Sequence, residues 1–355
     1  MDHFYYDDLY GVTPFGPAHG HNPFSLGPDV VLNDSGVLSP ISAGHSNHGG
    51  GGGGTSGGGT GGGTTGGTPP AGTMVTATGS NLAIDLVWDS SVSGAPSGFT
   101  AAVIAAAQAL VTDLSAPSKT VLDIAVGWGE IAGSAMSSGA LGESESTGYL
   151  TNYATVANAL HADGYTLNAS NEPTSGQFFV TSAEAKALGM ASRTGTAIDG
   201  YVGFGSGYSW QFGATGTTGG QFNLQATVEH ELTEVMGRIS MEGTSAYNGV
   251  KTYTPLDLFD FSAPGKLALS NTGGYFSTNN GATNMGNFND AAIYGGDIGD
   301  WASYGGPAQS GTLSSGQDPF DAYSRPGYDV TLSADDLLEM AAVGHPLSAI
   351  GLALA

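Results

Sequence analysis

The chain contains no cysteine. A disulfide framework, a thiolate metal site and a cysteine nucleophile are therefore all excluded. Positive charge is almost as scarce: 7 Lys and Arg stand against 31 Asp and Glu, a net charge of −24. Nucleic acids and anionic membrane surfaces need basic patches, so neither is an expected partner. No apolar run approaches the roughly 18–20 residues that cross a bilayer, so no membrane span is expected. The first basic residue is Lys119, so no positively charged segment precedes an apolar stretch, and a Sec-type signal peptide is not expected. An acidic, Cys-free composition rich in Gly, Asn and Asp still suits an exported bacterial protein. The apolar end "HPLSAIGLALA" fits an uncleaved C-terminal signal of the type I route, although Gly-Gly-x-Gly-x-Asp repeats are missing. The expected location is extracellular.

Glycine, by contrast, is abundant, with 60 among 355 residues. Many fall in the run "GGGGGGTSGGGTGGGTTGG" at 49–67, which offers no apolar surface to a core and reads as a flexible linker over 49–73. Residues 1–48 before it carry His3, His19, His21, His45 and His48, and read as a propeptide or targeting arm. One globular domain is expected over 74–347, followed by an apolar tail at 348–355. At about 270 residues such a domain is large but feasible.

Within that domain the hydrophobic periods are readable. Leu82, Ile84, Leu86 and Trp88 alternate with other residues, the period of a strand. Phe99, Val103, Ala107, Leu110 and Leu114 have the spacing of an amphipathic helix. Leu122, Ile124 and Val126 give a second strand, and "YVGFG" at 201–205 a third. Helices are expected at 151–163, 182–189 and 222–237. Residues 270–330 have little helical period. A last helix opens at Ser333 as N-cap with Asp336 at the capping-box position, and Gly344 stops it. The order predicts an α+β domain with a mixed sheet and a loop-rich C-terminal part.

The helix at 222–237 carries the chemistry. It reads "TVEHELTEVMGRIS" over 227–240, one residue away from the His-Glu-x-x-His of zinc proteases. Residues four apart share a helix face, so His230 and Glu234 can chelate one ion, and Glu is a legitimate zinc ligand. Glu231 lies about 100° further round, long enough to reach a water at the ion, where metalloproteases keep their general base. A His-Glu-x-x-Glu pentapeptide also arises often by chance, and a helical His is commonly a packed one.

Several segments occur together: "GALGESES", "DGYVGFGSGYSW", "VEHELTEVMGRIS", "YTPLDLFDFSAPG", "YFSTNNGATNMGNFN", "GGDIGDWASYG" and "TLSADDLLEMAAVGH". In this order they resemble a bacterial family of secreted metalloproteases that is similar to the metzincins. The resemblance covers about residues 80–345. It implies a zincin-like catalytic domain in which His230 is a metal ligand and Glu231 the base. Glu234 stands where the second His would be. Asp300 stands where related proteins carry the His of a His-Trp pair, and is the implied third ligand, with Asp297 as its rival. "QDPFDAYS" stands where the Met-turn would be and has no Met.

The resemblance implies a protein or peptide substrate and a zinc-class ion. With two anionic ligands, Mn, Ca or Fe are alternatives, because oxygen donors favour harder ions. Arg238 is either a clamp on a carboxylate near the site or a cation favoured by the helix C-terminus. Asp257 and Asp260 read as structural acids bonded to backbone amides, with Asp257 also a candidate to support the ligands from behind or to be a rival ligand. Asn284, Asn287, Asn289, Asp290, Asp297 and Asp300 form an oxygen-rich stretch that a hard cation could use. The alternatives to an endopeptidase are thus a catalytically silent exported binding module and a calcium-binding structural protein. Deleting residues 1–70 should leave the cooperative unfolding transition of the remainder intact, as followed by circular dichroism. Loss of that transition would make the tail part of the fold.

Overall fold

The computed structural model describes residues 72–136, 140–247, 249–270, 273–294, 296–302 and 318–355, together with the backbone of 13–14 and 39–41. Apart from residues 72 and 73, the linker expected at 49–73 lies outside the described residues, as do most of 1–48 and Gln317 of the "QDPFDAYS" segment.

The elements that position the site run as follows: β1 (Thr73–Thr76), β2 (Leu82–Trp88), α1 (Phe99–Asp113), β3 (Thr120–Trp128), β4 (Gly142–Ser146) and β5 (Gly148–Asn152). Next come α2 (Tyr153–Ala162), β6 (Gln177–Thr181), α3 (Ser182–Ala187), β7 (Gly200–Phe204) and α4 (Leu224–Val235). Then follow β8 (Thr244–Tyr247), β9 (Val250–Tyr253), β10 (Asp260–Ala263), β11 (Lys266–Leu267), β12 (Tyr275–Phe276), β13 (Gly286–Asn287) and α5 (Ala334–Ala342).

The first sheet has the order β1-β2-β3-β7-β4 and is mixed. β2, β3 and β7 run parallel, while β1 and β4 close the two edges antiparallel. β2 and β3 bury Ile84, Leu86, Leu122, Ile124 and Val126 on one face of the sheet, and α1 packs over β1 and β2. α4 packs over β7 and β4 and against α1, so the two helices share one face of the sheet. A second sheet pairs β8-β9-β6-β5, with residues 39–41 added antiparallel on β5. A third, all antiparallel, has the order β11-β10-β12-β13.

The expected α+β class with mixed sheets is present. The helix expected from 151 starts two residues later because Asn152 is its cap, its side chain accepting from the Thr155 amide at 3.0 Å. The capping box at Ser333 and Asp336 forms, and Gly344 leaves the helix at φ 94°. No helix among the described residues is long and apolar enough to cross a membrane.

Burying carboxyl groups beneath these sheets has a consequence for stability. Burial pushes Asp199 up to about 6 against the pull of Lys186, Asp257 up to about 6, and Asp318 up to about 7. Glu184 and Glu339 go well above the usual range, also by burial. Unfolded, such groups titrate near 4. Their contribution is therefore fully present below about pH 4 and is lost as pH rises through about 6–7. The thermal midpoint in chelator should fall between pH 5 and pH 8, measured by calorimetry; a midpoint that is flat or rising over that range would contradict this assignment.

Candidate metal centre

α4 is buried on every side, including its polar residues Thr227, Glu229, His230, Glu231, Thr233 and Glu234. Such a helix needs a partner for each polar group. Asn223 caps the first turn by accepting from the Ala226 amide at 3.1 Å. The Thr227 and Thr233 hydroxyls donate back to helix carbonyls. At Gly237 the chain leaves the helix at φ 121°, where a Cβ would also lie 2.9 Å from the Glu184 carboxyl carbon. Only glycine meets both conditions. The reversal folds the Arg238 side chain back along the helix.

His230, Glu234 and Asp300 come together, with one donor atom from each lying within 4.8 Å of the others. The His230 Nε2 atom is 3.4 Å from Glu234 Oε1 and 3.4 Å from Asp300 Oδ1. On the other side of the ring, Nδ1 is 2.6 Å from the Pro319 carbonyl oxygen. A carbonyl only accepts, so Nδ1 carries the hydrogen and Nε2 faces the two carboxylates. The 3.4 Å separations are longer than the 2.7–2.9 Å of charge-assisted hydrogen bonds. They match the edge of a tetrahedron whose arms are about 2.1 Å, the usual ligand distance at zinc. One nitrogen and two oxygens at this spacing fit a divalent ion.

Asp300 reaches the helix because its segment is pinned on both sides. The Asn289 amide donates to the Asp300 carbonyl at 2.8 Å, and the Trp301 amide donates to the Phe320 carbonyl at 2.8 Å. Trp301 is fully buried, stacks on Phe288 and donates from its indole to Asp336 at 2.7 Å. The same crossing brings Pro319 to His230.

Arg238 is fully buried beneath the three residues. Its guanidinium donates to Asp300 Oδ1 at 2.6 Å, to Thr233 Oγ1 at 3.1 Å, and to the Gly299 and His230 carbonyls at 3.3 Å. It lies 3.6 Å from Glu234 Oε1 and 4.3 Å over the Phe320 ring. Burial pushes Glu234 up, but His230, Arg238 and the Ser144 hydroxyl outweigh it and hold the carboxyl down at about 2. Burial raises Asp300, with His230 and Arg238 opposing.

Glu231 is buried against β4. A Cβ on Gly142 would lie 2.3 Å from Glu231 Oε1, so this glycine makes room for the carboxyl. Neither Glu231 oxygen receives a hydrogen bond from the described residues. Burial, then the charge of Glu234, pushes it well above its usual range. Two residues further along β4, the Ser144 hydroxyl donates to Glu234 Oε2 at 2.7 Å. Sequence reasoning does not reach Gly142, Ser144 or the Pro319 carbonyl as parts of the site, although all three fall within "GALGESES" and "QDPFDAYS".

Asp297 is not among the converging three, but its charge acts on Glu231, and burial followed by Glu234 and Asp300 raises its own carboxyl well above the ordinary range. Asp257 is not among the converging three either, and in place of a rival ligand it is the structural acid bonded to backbone amides. Its oxygens accept from the Ser240 hydroxyl at 2.5 Å and from the amides of Glu242 at 2.8 Å, Thr254 at 2.9 Å and Met241 at 3.3 Å. It is spent on tying the turn after α4 to β9. The Asn/Asp stretch does not gather into one group either: Asn284 bonds to Asn287, Asn289 to the Asp297 carbonyl, and Asp290 accepts from the Ile293 amide. No family model, no curated protein and no solved structure matches this chain.

Removing Arg238 leaves Asp300 and Glu234 buried without their cation. Arg238→Met should destabilise the protein by about 3–5 kcal/mol in chelator, the usual effect of breaking a buried charge pair. Arg238→Lys should rescue little, since one ammonium cannot serve Asp300, Thr233 and the His230 carbonyl together. Urea denaturation measures both; a loss below about 1 kcal/mol in Arg238→Met, the size expected of a surface pair, would contradict this account.

Proposed function

We propose that the chain is an exported metal-dependent endopeptidase with a zincin-like catalytic domain, whose ion is held by His230, Glu234 and Asp300. The observation that carries this reading is the approach of these three side chains, with Glu231 beside them on the same helix. The ordered segments that resemble the secreted metalloproteases support it further. Zinc fits the ligand spacing, and the two carboxylates also suit Mn or Fe. When bound, such an ion lowers the pKa of a water and polarises a carbonyl.

The chain's own residues would then divide the work. Glu231 takes a proton from the attacking water. The water oxygen bonds to the peptide carbonyl carbon, the C–N bond breaks, and the proton passes to the leaving amine. Pro319 holds the His230 ring in one tautomer, and Ser144 holds Glu234. Arg238 fixes Asp300 and supplies a positive charge behind both carboxylates.

A second reading is favoured by burial. His230, Glu231 and Asp300 are all 0% exposed, and a hydrolase must admit its substrate. In that reading the ion is structural and the domain is a catalytically silent binding module. Glu231→Gln separates the two. In the endopeptidase it should lower peptide cleavage by about 10²–10⁴-fold, the usual contribution of a general base, while metal content stays unchanged. His230→Ala should lose both. Metal-loaded wild type that cleaves nothing in a broad peptide library would establish the silent module instead.

A further inference from the structure

A separate pair of carboxylates lies outside the His230 group. Glu242 follows the turn after α4, and Asp260 opens β10. They are 3% and 2% exposed, and each acts on the other directly. All four of their oxygens are buried; the Phe261 and Tyr275 amides act on the Asp260 carboxyl, but no donor meets any of the four in direct hydrogen-bonding geometry, and no amide or hydroxyl acts on Glu242. Asp257 does not share this state, because its oxygens already accept four hydrogen bonds. One of those bonds comes from the Glu242 amide, so Asp257 fixes the backbone from which Glu242 projects.

The surroundings are shaped around the pair. Glu242 holds φ 41°, a left-handed conformation that is costly for a residue with a side chain. A Cβ on Gly274 would lie 2.0 Å from Asp260 Oδ1, so the chain passes this oxygen as closely as glycine allows. Asp290, 8% exposed, adds a third negative charge that acts on Glu242.

No basic side chain is assigned to offset this charge. Lys186 is paired with Asp123 and Asp199, and Arg238 with Asp300. Arg193 donates to the Ala187 carbonyl, and Arg325 lies over Tyr328. Lys119, Lys251 and Lys266 are exposed. Two buried carboxyls that act on each other, with two amides at Asp260 and none at Glu242, need either a shared proton or a metal cation to hold the remaining charge.

We propose that Glu242 and Asp260 are the anionic ligands of a second cation site, of the calcium class. The donors are all oxygen and no imidazole or thiolate stands with them, which selects a hard ion that completes its shell from water and main-chain carbonyls. Such an ion would tie the turn after α4 to β10, and so join the helix bearing His230 to the third sheet. This site is independent of the one proposed for catalysis.

The test is calcium titration of chelator-stripped full-length protein by calorimetry, alongside thermal unfolding with and without calcium. It is run on wild type, on His230→Ala, and on Glu242→Gln and Asp260→Asn. If His230→Ala does not fold, loading the first centre with zinc beforehand separates the two sites. Calcium should bind and raise the unfolding midpoint in wild type and in His230→Ala alike. Glu242→Gln and Asp260→Asn, close in shape, should fold in chelator and bind calcium at least about tenfold more weakly, having lost one of two anionic ligands. Absence of calcium binding in His230→Ala or in zinc-loaded wild type would overturn the site and leave a shared proton between the two acids. Unchanged affinity in Glu242→Gln would overturn it equally.

Discussion

The structure turns on a single guanidinium buried under α4. The chain has 7 basic residues for 31 acidic ones, so most buried carboxyls must find something other than a cation. Arg238 is the exception at this helix, and it is used from every side. It reaches Asp300, Thr233 and two main-chain carbonyls, and it lies over Phe320. These groups come from the helix, from the 299–300 segment and from the 318–322 segment. One side chain thereby joins three pieces of chain that are far apart in sequence. Its position depends in turn on Gly237, whose φ of 121° sends the chain back under the helix it has just left.

That arrangement explains why part of the site was legible in the sequence and part was not. His230, Glu231 and Glu234 share one helix, and a helix converts spacing into direction, so their common face followed from sequence numbers alone. Asp300 comes from the order of motifs, not from any spacing, because its approach depends on main-chain hydrogen bonds, from the Asn289 amide to its own carbonyl and from the Trp301 amide to the Phe320 carbonyl, that no local pattern encodes. The Pro319 carbonyl is a backbone group and carries no signature at all. Gly142 and Ser144 lie on an edge strand whose sequence, "GESES", lacks the β-branched and aromatic residues that mark strands. The strand β6 escapes for a different reason: "QFFVT" is buried at every position, so no alternation of apolar and polar residues marks it.

Asp257 and Asp260 show the same limit at closer range. Both were read as acids bonded to backbone amides. Asp257 is, accepting from three amides and a hydroxyl. Asp260, three positions on, is acted on by the Phe261 and Tyr275 amides, but neither meets its buried oxygens in the direct geometry that Asp257 has. The first sits on a one-turn helix at Leu256–Leu258, facing the turn that follows α4; the second begins a strand and points to where Gly274 passes. Residue type fixed what each could do, and the neighbouring backbone decided which of them did it.

Charge balance links these observations to the chemistry proposed for the centre. Glu234 and Asp300 bring two negative charges and Arg238 one positive, so the group is net negative before any ion arrives. A site of three neutral imidazoles starts at zero. A divalent ion would therefore be held more firmly here, through Coulomb attraction strengthened by burial, and would draw less electron density from a water or carbonyl beside it. Arg238 moderates both effects. Its bond to Asp300 Oδ1 takes electron density from one ligand oxygen, while Asp300 Oδ2 stays buried and receives no hydrogen bond. With an ion bound, such a centre would trade acidity for retention, and Arg238 would return some of that acidity without adding a ligand.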